Sequence, residues 1–147
     1  MEVKSSQTFE APIERVWELL IDPDTVARCM PGVAKLEPLG DDRYQATISV
    51  RVGLIGGTYQ GTVAIAEKRP PNSFKLLLEG NGRPGFVKGE GSFFLTSQGD
   101  ATLVELSGEV QIGGTIARVG QRLSGGVSKM MVDRFFDCLN ETLAEAR

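Results

Sequence analysis

The chain has 147 residues, enough for one domain spanning residues 1–147 with a sizeable core. With 41% hydrophobic and 24% charged residues it has the composition of an ordinary soluble globular protein, and a formal charge of −3 offers no general attraction to nucleic acid or anionic lipid. Histidine is absent, which removes the usual Ser-His-Asp and Cys-His nucleophilic arrangements and imidazole ligation of zinc, iron or copper.

Val3 to Phe9 is a weak strand candidate. Pro12 restricts Ala11 and suits the first turn of a helix carrying Val16, Trp17, Leu19 and Leu20. Asp22-Pro23 marks a second helix start, with Asp22 as cap and Pro23 at the first helical position. That short helix carries Val26 and stops before the turn Met30-Pro31-Gly32. Val33 to Leu39 reads as a strand and Gly40-Asp41-Asp42 as a hairpin turn. Tyr44, Ala46, Ile48, Val50 and Val52 then alternate with Gln45, Thr47, Ser49 and Arg51, as a half-wet antiparallel strand requires.

Leu54-Ile55-Gly56-Gly57 reads as an apolar loop with two glycines at its tip. Tyr59, Gly61, Val63 and Ile65 share one face of the next strand, which Pro70-Pro71-Asn72 ends. Phe74, Leu76 and Leu78 mark another strand, and Gly80 to Gly85 an irregular connection rich in turn formers. Val87, Gly89, Gly91, Phe93 and Leu95 alternate again before the turn Gln98-Gly99-Asp100, and Leu103 to Ile112 completes seven strands. Glycines inside these strands fit a strongly curved sheet.

From Thr115 to Arg147 the apolar positions recur near the helical period: Ile116, Val119, Leu123, Val127, Met130, Met131, Phe135, Leu139 and Leu143. About 30 residues at ~1.5 Å each span roughly 45 Å, so this helix needs a broad partner, which a curved sheet supplies. Gly125-Gly126 marks a candidate kink. A sheet wrapped around a long helix predicts an interior cavity. Cys29 and Cys138 read as buried thiols of a cytoplasmic protein. No run approaches the ~18 apolar residues of a membrane span.

Phe9-Glu10-Ala11-Pro12, Val16-Trp17, Asp22-Pro23, Cys29-Met30-Pro31-Gly32 and the Gly89-Glu90-Gly91 strand together resemble the G-subunit family of carbon monoxide dehydrogenase. That family belongs to the helix-grip superfamily shared by START lipid-transfer domains and birch-pollen-like proteins. The resemblance covers essentially residues 1–145, and Cys-Met-Pro-Gly is its most specific piece. It implies an α+β helix-grip fold: a seven-stranded curved antiparallel sheet around a long C-terminal helix, with two short helices after the first strand. It also implies an apolar cavity and an accessory role beside a molybdenum hydroxylase, in maturation, membrane recruitment or electron transfer to quinones. Longer members carry a membrane-engaging tail. This chain ends at Arg147 without one, so self-anchoring is not expected.

The expected ligand-binding residues are Trp17, Tyr59, Phe74, Phe93, Val127, Met130 and Met131, aromatic or deformable side chains on the apolar faces. Leu54, Ile55 and Phe86 are the expected cavity entrance or partner contact. Glu90 is expected on a solvated face, and Glu105, Glu109 and Gln111 on one outer strand face, so no catalytic residue and no metal ligand is assigned. The expected function is a non-catalytic, cytoplasmic accessory protein without a cofactor. It binds a hydrophobic, partly planar molecule such as a quinone or lipid, serves a molybdenum hydroxylase, touches the inner membrane transiently and binds no nucleic acid. One alternative is a small lyase, cyclase or hydrolase, which needs an inward Asp or Glu. Another is a pure assembly factor without a ligand.

Overall fold

A computed structural model of the chain describes residues 2–30, 33–52, 55–82, 85–113 and 132–144. The strands are β1 (Glu2–Phe9), β2 (Val33–Gly40), β3 (Arg43–Val52), β4 (Ile55–Arg69), β5 (Ser73–Gly82), β6 (Gly85–Gln98) and β7 (Ala101–Gly113). Between β1 and β2 lie α1 (Ile13–Ile21) and α2 (Pro23–Cys29). The C-terminal helix, α3, is described over 132–144. The rest of its expected span, with the Gly125-Gly126 kink, lies outside the described residues.

All seven strands form one sheet in the order β1-β7-β6-β5-β4-β3-β2, with antiparallel neighbours throughout. Successive hairpins account for most of this order, and the β1–β7 pairing adds the first strand to the last. Polar groups blunt the free edges. Glu2 and Lys4 form an ion pair of 3.0 Å on β1, and Pro38, which has no N–H to offer a new strand, lies on β2.

The hairpins are tighter than the turn-forming residues imply. Val52 pairs with Ile55, Arg51 with Gly56 and Val50 with Gly57, so the expected apolar loop is mostly the start of β4. Likewise Asn81 pairs with Phe86 and Gly82 with Gly85, which places Gly80, Asn81 and Gly82 inside β5. Backbone pairing satisfies these groups up to the hairpin tip, and a glycine does not interrupt it.

The helix starts follow local chemistry. The Asp22 carboxylate accepts a hydrogen bond from the Asp24 N–H at 3.0 Å, and Pro23 occupies the first turn, where its missing N–H costs nothing. In α1, Val16, Trp17 and Leu20 are buried on one face. The buried Thr102 hydroxyl on β7 donates to the Ala11 carbonyl at 2.8 Å and so ties the entry of α1 to the sheet.

One face of the sheet carries Phe9, Val63, Ile65, Phe74, Phe93, Leu95 and Val104 against α1 and α3, which add Val16, Trp17, Leu20, Phe136 and Leu139. Curvature comes from glycines on that same inner face. A Cβ on Gly61 would collide with the Glu79 carbonyl, and one on Gly108 would lie 2.5 Å from the Glu90 carbonyl oxygen. At Gly89 a Cβ would meet only ordinary contacts, Val110 Cγ2 at 3.6 Å being the nearest.

The cysteines correct the thiol expectation. Cys29, at the end of α2, and Cys138, on α3, form a disulfide with their Cα atoms 5.3 Å apart. Packing α2 onto α3 brings together residues 109 apart in sequence. A loop of that order corresponds to about 4–5 kcal/mol in the chain-entropy account of disulfide stabilisation.

The glycine geometry predicts a graded outcome. Gly61→Ala and Gly108→Ala are each expected to lose about 1–3 kcal/mol, because backbone must move to admit the methyl. Gly89→Ala is expected to stay within about 1 kcal/mol of the parent. Urea unfolding of the three variants checks this, and equal losses at all three positions would contradict it.

Candidate functional site

The inner face converges on a chain of rings. Trp17 of α1 meets Phe74 edge-on with centroids 5.5 Å apart. Phe74 stacks on Phe93 at 4.8 Å with planes 7° apart, as their cross-strand register requires. Phe93 approaches Phe135 of α3 at 6.4 Å, and Phe136 packs edge-on against Phe9 of β1 at 5.8 Å. Trp17, Phe74 and Phe93 are at most 6% exposed, so they form the packed floor of the inner face. Three expected ligand-binding residues are thus brought together.

Beyond this floor the inner face stays apolar and becomes only half-buried. Leu76 and Leu78 of β5, Val87 of β6, and Leu106 and Val110 of β7 surround Gly89 and Gly91. At Gly89 the missing side chain leaves the strand surface low between Val110 and Leu78, whereas at Gly91 Leu106 Cδ1 lies 3.1 Å from where a Cβ would stand. The result is a half-buried apolar patch on the inner face, beside the packed rings. Sequence reasoning had no means of selecting Leu76, Leu78, Leu106 and Val110 for this role. Their period-two pattern marks the core face, but alternation alone does not separate half-buried from fully buried positions on it.

The other expected residues are placed differently. Tyr59 and Ile55 lie on β4, with side chains outside the described set. Leu54, Val127, Met130 and Met131 lie outside the described residues. Phe86 is 44% exposed and folds over Gly113 on the outer face, away from the ring chain. It is an outward apolar contact at the tip of the β5–β6 hairpin.

The polar groups lie elsewhere. Among the described residues every Asp and Glu is exposed except Asp42, which is half-buried in the β2–β3 turn and bonded to Lys68 at 2.7 Å. Glu90, Glu105, Glu109 and Gln111 are exposed on the outer face. Lys75 bridges Glu90 and Glu67, each at 3.1 Å. Its hydrogen bonds to Glu90 and then to Glu67, with the attraction of both charges, raise the Lys75 pKa above the usual lysine value. A depression of about 540 Å³ opens on this face, with Arg43, Thr62, Leu77, Lys88 and Glu90 in its lining. Its charged rim suits water better than an apolar ligand. No group of His, Cys, Asp or Glu able to hold a metal ion occurs among the described residues.

Residues 6–144 match the CoxG family, the G-subunit of carbon monoxide dehydrogenase. A conserved protein from Geobacillus kaustophilus is 31% identical, with a TM-score of 0.92 over 99% of this chain and 97% of that one. The Zhui aromatase/cyclase from a Streptomyces species is 17% identical, with a TM-score of 0.71 over 100% of this chain and 96% of the other. A START superfamily protein from Mycobacterium smegmatis is 16% identical, with a TM-score of 0.66 over 99% of both chains. At that identity the last two establish the helix-grip fold alone. No curated protein matches the chain.

Removing a member of the ring chain should be severe. Phe74→Ala is expected to lose about 3–5 kcal/mol, because it strips Trp17 and Phe93 of their shared neighbour. Trp17 is the chain's one tryptophan, so its fluorescence should also change in the folded variant. An unaltered emission spectrum would contradict the ring contact.

Proposed function

The chain belongs to the CoxG family of carbon monoxide dehydrogenase, and we propose that it is a non-catalytic accessory protein that binds a hydrophobic, partly planar molecule of the quinone or lipid class. The observation that carries this reading is the half-buried apolar surface around Gly89 and Gly91, next to the packed rings of Trp17, Phe74 and Phe93. A ligand laid there loses apolar area to water at about 25 cal/mol per Å². The family supports the wider role, service to a molybdenum hydroxylase of the carbon monoxide dehydrogenase type in recruitment, maturation or electron transfer. The reading places this work in the cytoplasm, at or near the inner membrane. No helix among the described residues is long and apolar enough to cross a membrane.

A lyase, cyclase or hydrolase needs a carboxylate turned toward the apolar surface, where burial tunes its pKa. The exposed positions of the described carboxylates do not favour that alternative.

Native mass spectrometry of gently purified protein, followed by organic extraction, tests the ligand. The expected result is a bound apolar molecule that Gly89→Leu depletes at least ~10-fold, since a branched side chain there would occupy the surface between Val110 and Leu78, its Cβ meeting only ordinary contacts. Solvent alone in the parent protein would overturn the reading. The exposed Phe86 provides a separate test of docking. Phe86→Ser is expected to weaken capture of the cognate hydroxylase in a pull-down while leaving ligand content unchanged. Undiminished capture removes Phe86 from the interface.

A further inference from the structure

We propose that the Cys29–Cys138 disulfide is a reversible redox latch, which holds α2 against α3 when oxidised and releases the seam between them when reduced. The bond joins the last residue of a seven-residue helix to the C-terminal helix, two elements far apart in the chain. Cys29 is 4% exposed, whereas Cys138 is half-buried, so the Cys138 side of the bond is the more open one to a soluble thiol. The same seam has a second, non-covalent tie. Arg28 donates to the Thr142 hydroxyl at 2.7 Å, and that hydroxyl donates to the Cys138 carbonyl at 2.9 Å. The seam therefore keeps a registered polar contact when the covalent bond is absent, and the reduced state has a defined local structure to return from.

The chemistry closes with one reductant, a low-molecular-weight thiol. Its thiolate attacks the Cys138 sulfur, the protein S–S bond breaks, and Cys29 leaves as a thiolate that takes up a proton. A second thiolate attacks the resulting mixed disulfide and releases Cys138, which is protonated in turn. Two small thiols are oxidised to one small disulfide, and the protein gains two electrons and two protons. The reverse exchange, with a small disulfide as oxidant, restores the latch.

Reducing compartments keep most protein cysteines as thiols, so a bond formed there is characteristically a transient one. In the cytoplasmic setting proposed above, the pair would cycle between states. Opening a seam held by one covalent and one hydrogen-bonded tie is a local event, because the sheet pairing lies outside it. α2 continues directly from α1, which carries Trp17 onto the ring chain. Loosening α2 therefore loosens the support of α1 and Trp17 beside the apolar face. Only this last step rests on the ligand-binding reading.

Hydrogen exchange of the full chain, oxidised and then reduced by millimolar glutathione, tests the latch directly. Peptides covering 23–29 and 132–144 are expected to exchange at least ~10-fold faster after reduction, with β5 and β6 unchanged. Cys138→Ser should reproduce the reduced pattern without reductant. A fluorescent apolar probe, N-phenylnaphthylamine, should leave the reduced protein faster than the oxidised one. A bond that resists glutathione in the folded protein, free thiols after oxidative purification, or unchanged protection of the seam would each overturn the latch. A seam that loosens in protein that binds the probe in neither redox state supports the latch and rejects the ligand reading alone.

Discussion

At Gly61 and Gly108 the backbones of neighbouring strands come so close that a methyl group would collide with a carbonyl across the pair. That approach bends the sheet, and the arrangement of everything on the inner face follows from it. On that face Phe9 of β1 and Phe93 of β6 flank α3, where they meet Phe136 and Phe135. Each strand glycine gives up packing and adds unfolded-state entropy, so curvature is obtained at a local energetic loss. Burial of the aromatic chain offsets it. The inner face thus carries a fully packed floor near α1 and a half-buried apolar stretch around Gly89.

The two faces of the sheet do different physical work. On β6 the inward residues are Val87, Gly89, Gly91, Phe93 and Leu95, whereas Lys88, Glu90, Ser92 and Phe94 face outward. Glu90 lies directly across from Glu109, a like-charge pair that is unfavourable in isolation. Lys75, held between Glu90 and Glu67, neutralises part of that repulsion. Exposed pairs of this kind are worth little individually. Their value is to keep an antiparallel sheet soluble on one side, so that the apolar side alone recruits the helices.

Much of this architecture was legible from alternation. The inward sets on β5 and β6 were readable residue by residue, because period two puts Phe74 and Phe93 on the inner face of their strands, and their pairing follows once the hairpin is drawn. The cap at Asp22-Pro23 was equally direct, since its chemistry is local. The hairpin tips were not. Gly56, Gly57, Gly80 and Gly82 look like loop formers, yet they pair to the end of their strands because tertiary pairing overrides turn preference. The disulfide was illegible for another reason. Contact between residues 109 apart depends on how α2 docks on α3, and composition with compartment argued for free thiols. Trp17, Phe74 and Phe93, singled out by aromatic size, meet in one packed ring chain, while the half-buried leucines and valines were hidden among core residues of the same type.

The α1–α2 segment is anchored at its two ends by chemistry that differs in kind. At its start, the Thr102 hydroxyl holds the Ala11 carbonyl in a fully buried hydrogen bond, which gives way only with the surrounding core. At its end, Cys29 is held by a covalent bond to an element that is otherwise remote in sequence. Trp17 lies between these anchors and is fixed by ring contact with Phe74. A cover built this way has a hinge and a clasp. In the proposed latch the hydrogen-bonded end over β7 stays with the sheet, and opening starts at the α2 end. Access to the apolar face in that latch depends on the seam with α3.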